Sequence, residues 1–177
     1  VMCAAGLLAL RSVIDTDREL SLQTQVSVRG DLVPPVSNET VGSFISGVTT
    51  THLAAQSTQF WDLAREARQS VSAALDRGEH LTILKGSFGA LHAFGLRFLG
   101  PRFNSGRIVA INVSNSGNLP VPLVYGPRRI RGLYAVASQH VIGSMMQVAV
   151  WTVGGTMFIA LTYVEPLLSR AHALEDL

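Results

Sequence analysis

The chain has 177 residues, 47% apolar and 15% charged, with a net charge of +2 at neutral pH. Such a composition buries enough surface to offset the entropy of ordering, which excludes intrinsic disorder, and the lone Cys3 excludes a disulfide-stapled secreted scaffold. Thirteen arginines accompany one lysine, Lys85, and their only cluster, Arg128-Arg129-Arg131, is too short for a nucleic-acid footprint.

The chain begins at Val1 in an apolar helical run, with no basic segment of the kind that opens a signal peptide. An uncapped start inside a helix reads as a piece of a longer chain. The helix is expected over Met2 to Val13, and Asp15-Thr16-Asp17 breaks it. Leu20, Leu22, Val26 and Val28 then alternate with Ser21, Gln23, Ser27 and Arg29, the period of a half-buried strand. Gly30-Asp31 and Pro34-Pro35 interrupt it, so a connector is expected to Thr40, followed by a strand from Val41 to His52. The clearest helix runs from Thr58 to Asp76, where Phe60, Leu63, Ala64, Ala67, Val71, Ala74 and Leu75 keep a 3.6-residue period. Ser57 or Thr58 is expected to cap its start and Gly78 to follow its end. A second helix, Leu81 to Phe98, is interrupted by Gly86, Gly89 and Gly95. Arg107 to Val113 reads as a buried strand that ends in a polar loop, Ser114–Asn118, and Ile130 to Val136 as another strand.

No Asp, Glu, Lys or Arg occurs between Gly132 and Val164, a length that would hold a membrane helix. Gly154-Gly155 stands inside this stretch, with strand-length flanks rich in β formers, Met146 to Val153 and Thr156 to Tyr163. Polar Gln147, Thr152, Thr156 and Thr162 interrupt the apolar surface. A buried hairpin with a tight glycine turn is therefore expected in place of a membrane span. Pro166 opens a last helix. The order gives one domain over residues 1–177 of α/β (α+β) class, with a mixed, largely antiparallel sheet flanked by helices.

The sequence carries few signatures of chemistry. The five histidines, His52, His80, His92, His140 and His172, are far apart in sequence, so no zinc spacing exists. There is no phosphate-binding loop or dinucleotide fingerprint, and Gly86-Ser87-Phe88-Gly89 is a poor echo of a nucleophile elbow inside a helical pattern. His172 to Asp176 has the spacing of a general base and its orienting carboxylate, but on a closing helix any i, i+4 pair matches by accident. His52 and His140 each follow a predicted strand, where loops carry function, and each also fits a partly buried histidine. Ser114–Asn118 is the most site-like feature: a buried strand delivers small hydroxyl and amide residues that would line a cleft or simply turn the chain.

Several segments in order resemble the C-terminal half of condensation-type acyltransferases. They are Val26-Ser27-Val28-Arg29, Val33-Pro34-Pro35-Val36, Val41-Gly42-Ser43-Phe44, Phe60-Trp61-Asp62-Leu63-Ala64, Val113-Ser114-Asn115-Ser116-Gly117 and Tyr163-Val164-Glu165-Pro166-Leu167-Leu168-Ser169. That superfamily includes peptide synthetase condensation domains, alcohol acyltransferases and mycobacterial polyketide-associated acyltransferases. The resemblance implies a chloramphenicol-acetyltransferase-like half, one of two that form a V around a tunnel. It implies no bound cofactor, and a donor thioester on CoA or on the phosphopantetheine of an acyl carrier protein. The acceptor would be an alcohol or amine. The family's base is the second histidine of a His-His-x-x-x-Asp-Gly motif in the N-terminal half, and this sequence has no His-His pair, so no catalytic residue is assigned here. By the same resemblance Ser114, Asn115, Ser116 and Gly117 would line the tunnel, in place of the Asp-Phe-Gly-Trp-Gly of plant members, and His140 would stand near a tunnel mouth. The implied partners are the missing N-terminal half, an acyl carrier protein, or a second copy over the open face, with no nucleic acid and no membrane span. The implied location is cytoplasmic. A remnant that keeps the fold without the chemistry is the alternative, and a membrane-associated protein using the Gly132–Val164 hairpin a third reading.

Overall fold

In the computed structural model, described over residues 1–14, 18–81, 109–135, 144–163 and 165, a five-stranded sheet runs in the order β2-β1-β3-β6-β7. Its strands are β1 (Arg18–Ser27), β2 (Ile45–Ala54), β3 (Val109–Asn118), β6 (Ser144–Val153) and β7 (Thr156–Tyr163). The helices are α1 (Met2–Ile14) and α2 (Phe60–Asp76), and the two-residue strands β4 (Val124–Tyr125) and β5 (Arg128–Arg129) form a small hairpin. β1 pairs antiparallel to β2 and β6 to β7, both along most of their length, whereas β3 joins the two pairs through parallel ladders. The mixed, largely antiparallel sheet expected from the sequence is therefore present.

Period-two alternation decides which face each strand residue serves. Leu20 and Leu22 of β1, Ile111 and Val113 of β3, and Met146, Val148 and Val150 of β6 share a face and form one core with Ala4, Leu7 and Leu10 of α1 and Leu63, Ala64 and Ala67 of α2. α1 approaches so closely that a Cβ on Gly6 would lie 2.2 Å from the Ile111 Cδ1. The opposite face carries Ala149, Trp151 and Val153, packed against Leu119, Leu123, Phe158 and Ala160. The segment 119–135 folds against this second face, where the Trp151 indole N–H donates to the Leu133 carbonyl at 3.0 Å.

The glycine hairpin stands as expected. Gly154 and Gly155 have φ of +57° and +79°, and Val153 pairs with Thr156 across the turn, the geometry that only glycine adopts without strain. Among the described residues no helix is long and apolar enough to cross a membrane. Gly78, at φ +70°, ends α2, and its N–H donates to the Leu75 carbonyl at 2.8 Å.

Other expectations need correction. α2 has Gln59 at its N-cap, without a side-chain cap; the Thr58 hydroxyl instead accepts the Ala55 N–H at 2.9 Å and fixes the entering loop. The second strand starts at Ile45, not Val41, because Arg29 holds the preceding connector, donating to the carbonyls of Ser37 and Thr40 while stacking 4.4 Å over the Phe44 ring. Ile130 to Ala135 is not a regular strand: the chain there leaves the β4–β5 hairpin and finds no ladder partner. The expected helices over Leu81 to Phe98 and after Pro166 fall almost wholly outside the described residues.

Candidate functional site

β1, β3 and β6 run parallel, so their carboxyl ends meet at one edge of the sheet, the edge at which open α/β sheets place their ligands. Ser114–Asn118 lies there, but as strand and not as the expected loop. β3 continues to Asn118 because β6 carries its ladder, with Ser114 opposite Ala149 and Asn115 opposite Val150. A bulge before Asn118 absorbs the turn-forming composition. There Gly117 takes φ +67° and its N–H is accepted by the Asn115 Oδ1 at 2.9 Å.

On its other side β3 pairs with β1 only from Ile111 to Val113. From Ser114 onward that edge of the backbone has no strand partner among the described residues. Two hydroxyls (Ser114, Ser116) and two amides (Asn115, Asn118) therefore surround a free stretch of backbone donors and acceptors. Ser114 is half-buried and the rest exposed. His140, the fifth residue singled out from the sequence, lies outside the described residues.

His52 is placed differently from its expected loop. It sits inside β2, 1% exposed. Its Nδ1 is 2.8 Å from Glu66 Oε1 on α2 and its Nε2 2.8 Å from the Thr50 hydroxyl. Both ring nitrogens are engaged, so the residue braces the sheet against the helix and has none left for a substrate. His80 ties the turn after α2 to the loop after β1, with Nε2 3.3 Å from Asp31 Oδ2.

A feature that sequence reading missed crosses the whole sheet. Register places Thr49, Gln23, Asn112, Gln147 and Thr162 in one transverse row on the face opposite the helices. Asn112 is 1% exposed and Gln147 is 4% exposed. The Asn112 amide donates to the Gln23 Oε1 at 3.3 Å, while its own Oδ1 is buried without a hydrogen-bond partner. Asn112 and Gln147, each polar within an apolar run, were the available signal, but only the register shows that the five residues share a line. The described residues contain no cluster of metal-ligating side chains.

A family model described as phthiocerol/phthiodiolone dimycocerosyl transferase C-terminus matches residues 1–162. Among solved structures, polyketide synthase associated protein 5 from Mycobacterium tuberculosis is similar at 19% identity and a TM-score of 0.57, over 92% of this chain and 40% of that one. A condensation domain that mediates chain release from the enacyloxin polyketide synthase is similar at 13% identity and 0.55, over 96% of this chain and 32% of that one. Vinorine synthase is similar at 11% identity and 0.56, over 97% of this chain and 37% of that one. At these identities the likeness is one of fold, and the chain spans two fifths or less of each of these structures. No curated protein matches the sequence.

Proposed function

The chain belongs to the family of phthiocerol/phthiodiolone dimycocerosyl transferase C-termini, and from that membership we propose that it is the tunnel-forming half of a cytoplasmic acyltransferase. The family match across residues 1–162 carries the reading. The reaction is attack of an alcohol or amine acceptor on the carbonyl of a thioester held by CoA or by a carrier-protein phosphopantetheine, with the thiolate as leaving group. The base that takes the acceptor's proton belongs to the N-terminal half, since His52 is fully engaged and the sequence has no His-His pair. This chain contributes walls. The free edge of β3 from Ser114 to Asn118 offers hydroxyls, amides and backbone groups to orient the reactants.

The test joins the chain to the N-terminal half of a polyketide-associated acyltransferase that carries His-His-x-x-x-Asp-Gly. Thiol release is followed with acyl-CoA or an acyl carrier protein and a long-chain alcohol. Turnover is expected from the fusion and from neither half alone. Turnover by the 177 residues alone would overturn the assignment of the base, and a folded but inactive fusion would favour a non-catalytic remnant.

A further inference from the structure

We propose that the cavity beside the β6–β7 turn binds an amphiphilic anion, a linear apolar chain ending in a carboxylate or phosphate. The inference goes beyond acyl transfer and does not depend on it. The cavity measures about 400 Å³, within the range of small-molecule sites. Leu123, Ile130, Val153 and Phe158 give it an apolar portion, and Arg129, Arg131, Thr156 and the two glycines Gly132 and Gly154 make up the rest of a lining that is more polar than apolar. Both arginines are exposed, neither forms an ion pair among the described residues, and no carboxylate lines the cavity.

The chain makes this combination locally. The β4–β5 hairpin sets Arg129 opposite Val124, and the Ile130 N–H donates to the Leu123 carbonyl at 2.8 Å, closing the hairpin base. Beyond the ladder the irregular chain turns Arg129, Ile130, Arg131 and Gly132 all toward the cavity, while Arg128 is absent from the lining. Gly154 allows the close approach of the wall: a Cβ there would lie 2.6 Å from the Leu123 Cδ1. Gly132 leaves room in front of the aromatic side, where a Cβ would meet Tyr134 and Phe158 at 3.1 and 3.2 Å.

Charge and polarity name the occupant. Guanidinium groups match carboxylate and phosphate oxygens in bidentate geometry. The apolar side chains beside the arginines offer an alkyl chain a surface to cover. A neutral apolar ligand would make no use of the two guanidiniums, and a bare anion would leave the apolar side chains wet.

The experiment titrates the 177-residue chain with octanoate, octyl phosphate, octanol and inorganic phosphate, by calorimetry and by tryptophan fluorescence. Trp151, stacked 6.5 Å from Phe158, reports on the cavity, and the other tryptophan, Trp61, is exposed on α2. Octanoate or octyl phosphate is expected to bind at least about tenfold more tightly than octanol or inorganic phosphate. The order of the two amphiphiles identifies the head group. Arg129→Gln/Arg131→Gln, with an unchanged melting curve, is expected to abolish that preference and leave octanol binding as it was. Arg128→Gln is expected to keep it. Equal binding of octanoate, octyl phosphate and octanol would overturn the proposal, as would full retention in the double variant or an equal loss in Arg128→Gln.

Discussion

Gly6 shows how one missing Cβ sets the distance between α1 and the sheet. In an isolated helix alanine would be favoured over glycine by about 1 kcal/mol. Here the added carbon would lie 2.2 Å from Ile111 Cδ1 and 3.6 Å from Val148 Cγ2, and Ile111 is fully buried, so its Cδ1 must turn into the core to make room. Overpacking of a core costs about 1–3 kcal/mol, so the clash wins, and Gly6→Ala is expected to destabilise by roughly 1 kcal/mol net. Ile111→Val removes the very atom the new carbon meets. In that background Gly6→Ala is expected to become stabilising, through helix propensity alone. Denaturant midpoints of the two single variants and the double variant measure the coupling. Additive effects would show that α1 shifts as a body instead of clashing.

At the scale of elements, the seam between β2 and α2 is held by apolar packing plus one buried imidazole. His52→Ala removes two hydrogen bonds and leaves a cavity, an expected loss of about 2–4 kcal/mol. Glu66→Ala removes a partner whose side chain is 54% exposed, so the expected loss is below about 1 kcal/mol. Urea unfolding of both variants checks the ratio, and near-equal losses would show that Glu66 is the anchor. The elements with a strong local signal were legible: the alternation of β1, the helical period of α2, and the Gly154-Gly155 turn. The elements misread were those whose partners are remote. Ser114–Asn118 has turn chemistry, and only the ladder to β6 makes it strand. Ile130–Val136 has strand chemistry, yet over Ile130–Ala135 no ladder forms. The transverse row from Thr49 to Thr162 was invisible for the same reason, because register between strands distant in sequence is not written in any one of them. His52 was found as a candidate but misplaced, since two residues of extra strand move it from a loop into the sheet.

At the scale of the whole molecule, apolar surface is unevenly covered. Residues 119–135 expose Val121, Val124, Tyr125, Leu133 and Tyr134, the last at 87%, and their only regular structure is the two-residue β4–β5 ladder. Several large apolar side chains exposed on one weakly paired segment are the kind of surface that marks an interaction site. Solvent provides no favourable alternative for them, so a second surface is expected to cover them: the N-terminal half in the proposed enzyme, or another copy when that half is absent. The chain alone is therefore expected to self-associate reversibly or to bind a hydrophobic dye. Replacing Val121 and Val124 by Ser is expected to reduce both behaviours with little change in the melting temperature, because neither belongs to either core. Light scattering and dye fluorescence on the two proteins provide the measurement. A monodisperse, dye-free monomer of the parent chain would show that this face is already adapted to water, and would count against a tunnel wall that needs a second half to close it.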